Sequence, residues 1–354
     1  MSTYPLIVRA IDVGYGHVKF TDGRDSHDKS IRTDSIPSQS PSAKPRLPKG
    51  PGVLTQRDTF TIPVGERLFE VGRDIRLALH GTQETEVLDE NFSLSAGYAA
   101  RLFGAVNYMQ LPAGVIDILV LGLPLNTYPK HHAALSKRFT GLHTRNTRGD
   151  TIEIRHCHVY PQPLGSYTAF LADNPPASPS PLALSIDPGY NTVDFFVCQG
   201  MAANATRSDA VQRGMGAVLR AVADDIIKVH SMDATPVELV RAIDRSLATG
   251  EPFKIYGQEF DLSDHWRAGH EIVEEAAQAV KNSVGSGSDI EVILLTGGGA
   301  SLYEDAIRDK FPRHQVLTLE SPAMANARGF HLIGEMLAKS LGHALQFREA
   351  VVAA

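Results

Sequence analysis

The sequence predicts an α/β protein of two duplicated halves, on three observations: a ten-residue segment that occurs twice, strands that alternate with helices, and a proline-rich break between the two copies. At 354 residues the chain is about the length of two ordinary domains, so each half can bury its own core. A hydrophobic share of 43% and a charged share of 21% belong to a globular chain, not a disordered one. The net charge of -6 argues against a surface built as a whole for DNA or RNA, and leaves room only for local basic patches. The opening segment MSTYPLIVRAIDVG has no basic stretch leading into a long apolar run, and no run of about 18 apolar residues occurs, so a cytoplasmic location without membrane contact is expected. Cys157 and Cys198 lack CxxC spacing and sit in apparent strands, which reads as two buried thiols and not as a zinc site or a disulfide.

The repeat carries most of the information. Ile11-Asp12-Val13-Gly14-Tyr15-Gly16-His17-Val18-Lys19-Phe20 aligns without gaps with Ile186-Asp187-Pro188-Gly189-Tyr190-Asn191-Thr192-Val193-Asp194-Phe195. Each copy follows an apolar run, from Leu6 and from Leu182, and precedes alternating apolar residues, the pattern of strand, tight turn and strand. Glycine permits positive φ and leaves no Cβ, so successive N–H groups of such a turn can converge on an anion. An aspartate at the strand end can hold Mg²⁺ through water, and Lys19 adds a point charge for phosphate. Either hairpin alone would read as an ordinary glycine turn; two near-identical ones, one per half, favour a nucleotide gripped from both sides. The copies also differ. The first has Gly16 and Lys19 and reads as the main phosphate grip, whereas the second has Asn191 and Asp194 there, with Pro188 before its glycine, and reads as the metal-and-water side.

A third element follows. Glu291 to Thr296 reads as a buried strand leading into Gly297-Gly298-Gly299, and Ser301-Leu302-Tyr303-Glu304 reads as an S-x-x-E capping box opening a helix to about Phe311. A strand, a glycine turn and a helix N-terminus together make a place that an anion can approach closely. Rival nucleotide motifs, GK[ST], GxGxxG and GxSxG, do not occur.

Between these landmarks, Pro37 to Gly52 is rich in Pro and Ser with Lys44, Arg46 and Lys49, and is expected to be a mobile loop with a possible polymer or nucleic-acid contact. Residues 58–71 suggest short strands, Leu94–Met109 a helix, Val115–Gly122 a buried strand, Pro129–Phe139 a helix, Thr151–Tyr160 a strand and Leu164–Leu171 a short helix. In the second half Val211, Met215, Val218, Leu219, Val222, Ile226 and Val229 recur at helical spacing, as do Gly269, Val273, Ala276, Ala277, Val280 and Val284 after a Ser263 cap; both stripes read as core faces. A last strand at Gln315–Leu319 precedes a final helix expected to return to the first domain. The expected domains are 1–172 joined by a C-terminal helix at 322–345, a Pro/Ser-rich linker at 173–181, and 182–321.

Two such hairpins followed by a strand–GGG–helix element resemble the phosphate-1, phosphate-2 and adenosine motifs of the actin, Hsp70 and sugar-kinase superfamily, in type and in order. Within it the chain is most similar to the ParM/StbA plasmid-segregation actins, especially the PRTRC-system protein D group, through Leu121-Gly122-Leu123-Pro124-Leu125-Asn126-Thr127-Tyr128, Arg138-Phe139-Thr140-Gly141 and Ala325-Asn326-Ala327-Arg328-Gly329-Phe330. The resemblance implies two actin-like (ribonuclease H-like) domains with a nucleotide cleft between them, binding ATP or GTP with Mg²⁺. It implies that Asp12, Gly14, Tyr15, Gly16, His17 and Lys19, then Gly189, Tyr190, Asn191 and Thr192, then Gly297, Gly298, Gly299 and Ala300 surround the nucleotide. Asp12 and Asp187 would hold the metal through water, and Gln162 with Asp187 would align the attacking water; read without the resemblance, Gln162 is a polar residue at a helix start. Where ParM-like proteins carry more Gly and Thr, Pro188 removes one N–H donor. The implied function is a polymerising ATPase whose filaments, captured by a DNA-bound adaptor, segregate plasmid DNA. A small-molecule kinase of the sugar type and a nucleotide-gated binding protein with little hydrolysis are the alternatives. His156 and His158 share a strand face but lack a carboxylate or cysteine pair that would make a metal site with them.

Overall fold

Residues 6–44, 57–79, 90–111, 113–175, 180–200 and 202–352 are described by a computed structural model, without the side chains of residue 248 and of residues beyond 340. The chain divides into two units: one takes Met1–Leu79, Leu88–Pro175 and Met324–Ala354, the other Pro176–Ala323. Residues 45–52 of the expected loop and 176–179 of the expected linker lie outside the described residues.

The first unit opens with an antiparallel meander, β1 (Val8–Val13), β2 (His17–Arg24) and β3 (Ile31–Pro37), followed by a separate hairpin of β4 (Thr59–Val64) and β5 (Arg67–Gly72). Then come α1 (Ala96–Tyr108), β6 (Val115–Leu123), α2 (Tyr128–Phe139), β7 (Gly141–Thr144), β8 (Thr151–Pro161) and α3 (Gln162–Asp173). The sheet order is β3-β2-β1-β6-β8-β7, with β1, β6 and β8 parallel, so β1 and β6 are central. All six residues of β1 are buried, as a strand covered on both faces requires. Arg9 within it keeps its charge by reaching Asp22 at 3.4 Å and the carbonyls of Val8 and Gln110, although burial pulls its pKa down. The first part of the Pro/Ser-rich segment is held in place: Ser38 N–H donates to Gly16 (2.9 Å), Ala43 N–H to Leu68 (2.8 Å), and Glu70 N–H to Pro41 (2.9 Å).

The second unit contains β9 (Ala183–Pro188), β10 (Val193–Gln199), β11 (Ala202–Ala203), β12 (Asp209–Val211), α4 (Met215–His230), α5 (Pro236–Thr249), a small hairpin of β13 (Lys254–Ile255) and β14 (Gln258–Glu259), α6 (Arg267–Val284), β15 (Val292–Leu295), α7 (Ala300–Lys310) and β16 (Val316–Thr318). Its sheet runs β11-β10-β9-β15-β16, with β12 also on β10. Three local readings of the sequence are corrected here. Val211 belongs to β12, and Val229 is 60% exposed, so the α4 core stripe is Val218, Leu219, Val222 and Ile226. Ser263 does not cap α6: it begins a 3₁₀ turn, and its N–H is taken by Asp261 Oδ1 at 2.9 Å. Nor does Ser301 cap α7. That helix starts at Ala300 with Gly299 in the cap position, and Glu304 turns to Arg308 and Thr318 instead. A true capping box, which the sequence reading passed over, lies at Thr235 and Glu238 ahead of α5.

The final helix, α8 (Ala325–Val352), packs into the first unit against α3, β1 and β6. Small residues make this possible. A Cβ on Gly329 would stand 1.6 Å from the Gly165 carbonyl oxygen, and one on Gly165 would stand 2.6 Å from that of Asn326. Phe330, wholly buried, fills the space that Gly122 leaves, where a Cβ would be 2.5 Å from its ring. Polar ties accompany the contact: Ser166 N–H donates to Asn326 Oδ1 (3.2 Å), Thr21 Oγ1 is hydrogen-bonded to His331 Nδ1 (2.9 Å), and Arg24 grips Glu335 with two bonds of 2.6 and 2.7 Å. The Arg24 bonds, and secondarily His331, hold the Glu335 carboxyl down to about 2.

Two outcomes follow from this packing. Gly329→Ala is expected to lower the unfolding free energy by about 3 kcal/mol, read from urea denaturation, because two helix backbones must separate to admit the methyl group. The Glu335 carboxyl, depressed from its ordinary 4.5, contributes stability that is fully present above 4.5 and lost as pH falls towards 2. Glu335→Gln is therefore expected to flatten the fall of the urea midpoint across that window.

Candidate functional site

The two repeated segments form hairpins of the same register. Ile11 faces Phe20, Asp12 faces Lys19 and Val13 faces Val18; in the second unit Ile186 faces Phe195, Asp187 faces Asp194 and Pro188 faces Val193. Their turns close alike, with Gly14 N–H donating to the carbonyls of Asp12 (3.1 Å) and His17 (3.2 Å), and Gly189 N–H to those of Asp187 (2.9 Å) and Thr192 (2.8 Å). A Cβ on either glycine would press on the same turn carbonyl, at 3.0 Å from His17 O or 3.2 Å from Thr192 O.

In the first unit Asp12 is 1% exposed at the end of β1. Its Oδ1 accepts a 2.6 Å hydrogen bond from Gln162 Nε2, and its Oδ2 lies 4.0 Å from Lys19 Nζ. Gln162 is the first residue of α3, whose place is set by the Gly165–Gly329 crossing. Gln162, read from the sequence apart from the first hairpin, is thus brought to the Asp12 and Lys19 of that hairpin. The Tyr15 ring packs on Phe92 with centroids 5.0 Å apart. The Gly16 carbonyl is taken by Ser38, and His17 sits opposite Pro37 in the ladder. Sequence reasoning missed Tyr98 of α1. Its hydroxyl is buried without a hydrogen-bond partner, and burial together with the field of Asp12 opposes its ionisation.

In the second unit Asp187 is 6% exposed and Asp194, directly opposite, is 3% exposed; Thr192 Oγ1 donates to Asp194 Oδ2 at 2.6 Å. The turn carbonyls of Gly189, Tyr190 and Asn191 accept N–H bonds from Met215 (2.9 Å), Gly216 (2.7 Å) and Gly214 (3.2 Å), which caps α4 in place of a side chain. The Tyr190 ring lies beneath Gly216, where a Cβ would be 2.8 Å from Cε1, and burial raises its pKa. The glycine run is tied to the hairpin: Gly299 N–H donates to the Pro188 carbonyl at 3.0 Å. Gly297 has φ +80° and a Cβ there would stand 2.0 Å from Asp187 Oδ1; one on Gly299 would stand 2.8 Å from Met215 Cγ. Gly298 is exposed and a Cβ on it would meet nothing within 4 Å. The outer glycines are thus required by packing, and the middle one presents bare backbone. Ala300 is buried at the start of α7.

Among the described residues no three His, Cys, Asp or Glu side chains converge as a metal cage. The thiols of Cys157 and Cys198 are buried and each is pushed up to about 12, which leaves them protonated and inert. Among the described residues no helix is long and apolar enough to cross a membrane.

Two family models match. One, of the N-terminal domain of actin-like proteins, covers residues 10–165; the other, of the C-terminal domain of the archaeal actin homologue type (MreB-like), covers residues 185–309. The chain is an actin-like protein. Both matches begin on the strand that leads into a repeated hairpin, so each takes in one copy of the internal repeat. Solved structures agree on the fold. The archaeal actin homologue Ta0583 is 18% identical, with a TM-score of 0.73 over 94% of this chain and 99% of that one. Its complex with ADP gives a TM-score of 0.72 at 17% identity, over 94% and 100%. The ParM of a 15-stranded filament from Clostridium botulinum gives 0.71 at 18%, over 94% and 100%. No curated protein matches this actin-like chain.

The glycine run gives a test of its own. Gly297→Ala is expected to cost about 3 kcal/mol, from positive φ and the collision with Asp187, whereas Gly298→Ala is expected to stay within about 0.5 kcal/mol of the parent in thermal or urea unfolding.

Proposed function

We propose that this actin-like chain is a nucleotide-dependent ATPase that polymerises into filaments, and that the filaments segregate plasmid DNA through a DNA-bound adaptor protein. The observation that carries the reading is the pair of hairpins in one register, each with a buried aspartate at its strand end, of which only the first faces a lysine.

On this reading both hairpins serve one nucleotide, ATP or GTP. Lys19 and the amides of the first hairpin turn other than that of Gly14, whose N–H closes the turn, hold the β- and γ-phosphates. Asp12 and Asp187 would hold a Mg²⁺ through water: each is a buried carboxylate at a strand end, a hard oxygen donor of the kind this ion takes, and the ion would offset phosphate charge. Gln162 donates to Asp12 by its amide N–H, which fixes the side chain and leaves its carbonyl oxygen to accept from a water set in line with the γ-phosphate. Asp187 orients the same water, so the rate comes from positioning and preorganised charge. Gly298 lets the nucleoside lie close to backbone. The ADP complex of the archaeal homologue supports nucleotide binding, and the 15-stranded ParM filament supports self-assembly. The likeness to ParM-type proteins supports the plasmid-segregation part of the reading, and the adaptor is proposed with it.

With Mg²⁺ and ATP or GTP the purified protein is expected to pellet on sedimentation and to release phosphate. Asp187→Ala should lower kcat by roughly 10²-fold or more, and Lys19→Ala should weaken nucleotide binding at least ten-fold, to about a hundred-fold. Failure to pellet with either nucleotide overturns the filament reading. Phosphorylation of a member of a sugar panel would make the chain a small-molecule kinase instead.

A further inference from the structure

The registers that align the two hairpins also align the strands beside them, and they bring out a polar position that the sequence repeat does not reach. Leu121 of β6 faces Ile11, and Leu295 of β15 faces Ile186. Gly122 and Thr296 are therefore matching positions, each one residue past that pair and alongside the strand-end aspartate. Thr296 directly follows β15 and keeps its register through the bond of its N–H to the Ile186 carbonyl, which sets it alongside Asp187 on the adjacent strand, with Asp194 across from Asp187 on the other side. The first unit shows how near a side chain at this position comes: a Cβ on Gly122 would stand 3.2 Å from Asp12 Oδ1. There Phe330 takes up the space. In the second unit the position carries a threonine.

Thr296 is wholly buried, and its Oγ1 has no hydrogen-bond partner. Its N–H is bonded to the Ile186 carbonyl at 2.9 Å, which fixes the backbone. A buried hydroxyl without a partner costs about 1–3 kcal/mol. Valine has nearly the same shape and an equal liking for strands, so packing supplies no reason for the oxygen.

We propose that Thr296 is a positioning residue for Asp187: its hydroxyl hydrogen-bonds the water that the Asp187 carboxylate holds when nucleotide and divalent ion are bound. A hydroxyl can donate and accept, so with the carboxylate, which only accepts, it fixes both the place and the orientation of that water. The inference rests on the role given to Asp187 above.

The test compares the wild type with Thr296→Val and Thr296→Ser in thermal melting without ligand, melting with Mg-ATP, and steady-state phosphate release. Thr296→Val is expected to melt at the wild-type temperature or higher without ligand, to gain a smaller shift from Mg-ATP, and to turn over roughly ten-fold more slowly with little change in KM. Thr296→Ser should stay near the wild type in all three. A valine variant that matches the wild type in shift and turnover overturns the proposal and leaves the ATPase reading standing. Lower melting of the valine variant without ligand, or equal impairment of the serine variant, assigns the residue to packing and also overturns it. A wild type with neither shift nor turnover overturns both.

Discussion

A carboxylate sealed at the end of a central strand is the constraint around which each unit is arranged. Asp12 and Asp187 are among the most buried acidic groups of the chain, and an ionised carboxylate away from water is unfavourable by several kcal/mol unless charge or hydrogen bonds answer it. Asp12 is answered within its own unit by Lys19 across the ladder and by Gln162 from α3. The ladder partner of Asp187 is a second aspartate, which adds to the demand for positive charge. The neighbouring backbone gives way to both carboxylates: Gly122 lies beside Asp12, and Gly297 beside Asp187.

One hairpin plan therefore serves two different electrostatic tasks. The common part is the backbone: register, turn bonds and the glycine that presses on the turn carbonyl are the same in both. The differences lie at the positions that face the strand-end aspartate. The first unit meets it with a cation and an amide. The second meets it with a carboxylate, and devotes its turn carbonyls to capping α4.

Much of this was legible in the sequence because it is local. A strand–turn–strand pattern repeated after 175 residues shows itself as identical letters, and the buried stripe of α6 repeats at helical spacing. The misreadings are local patterns overridden by their surroundings. Val211 fits a helical period but pairs with Val193 in the sheet, and Ser301 fits a capping box but follows a glycine turn that starts the helix two residues earlier than such a cap would. What stayed hidden is long-range. Nothing near Gly122 announces Phe330, nothing near Gly165 announces Gly329, and the equivalence of Gly122 with Thr296 appears only when two sheets are compared strand by strand.

The crossing of α3 and α8 also bears on how the chain acquires its structure during synthesis. The first unit is begun by the earliest residues, yet its central strands lack one covering helix until residues beyond 324 have left the ribosome. Its closing contacts span more than 150 residues, the kind that form late and slowly, while the second unit has its whole sheet by Thr318. The half that is made first is thus completed last. During that interval the apolar faces of Val8 and Val120, which Gly334 later meets, are the surface that a chaperone or a premature self-contact would find.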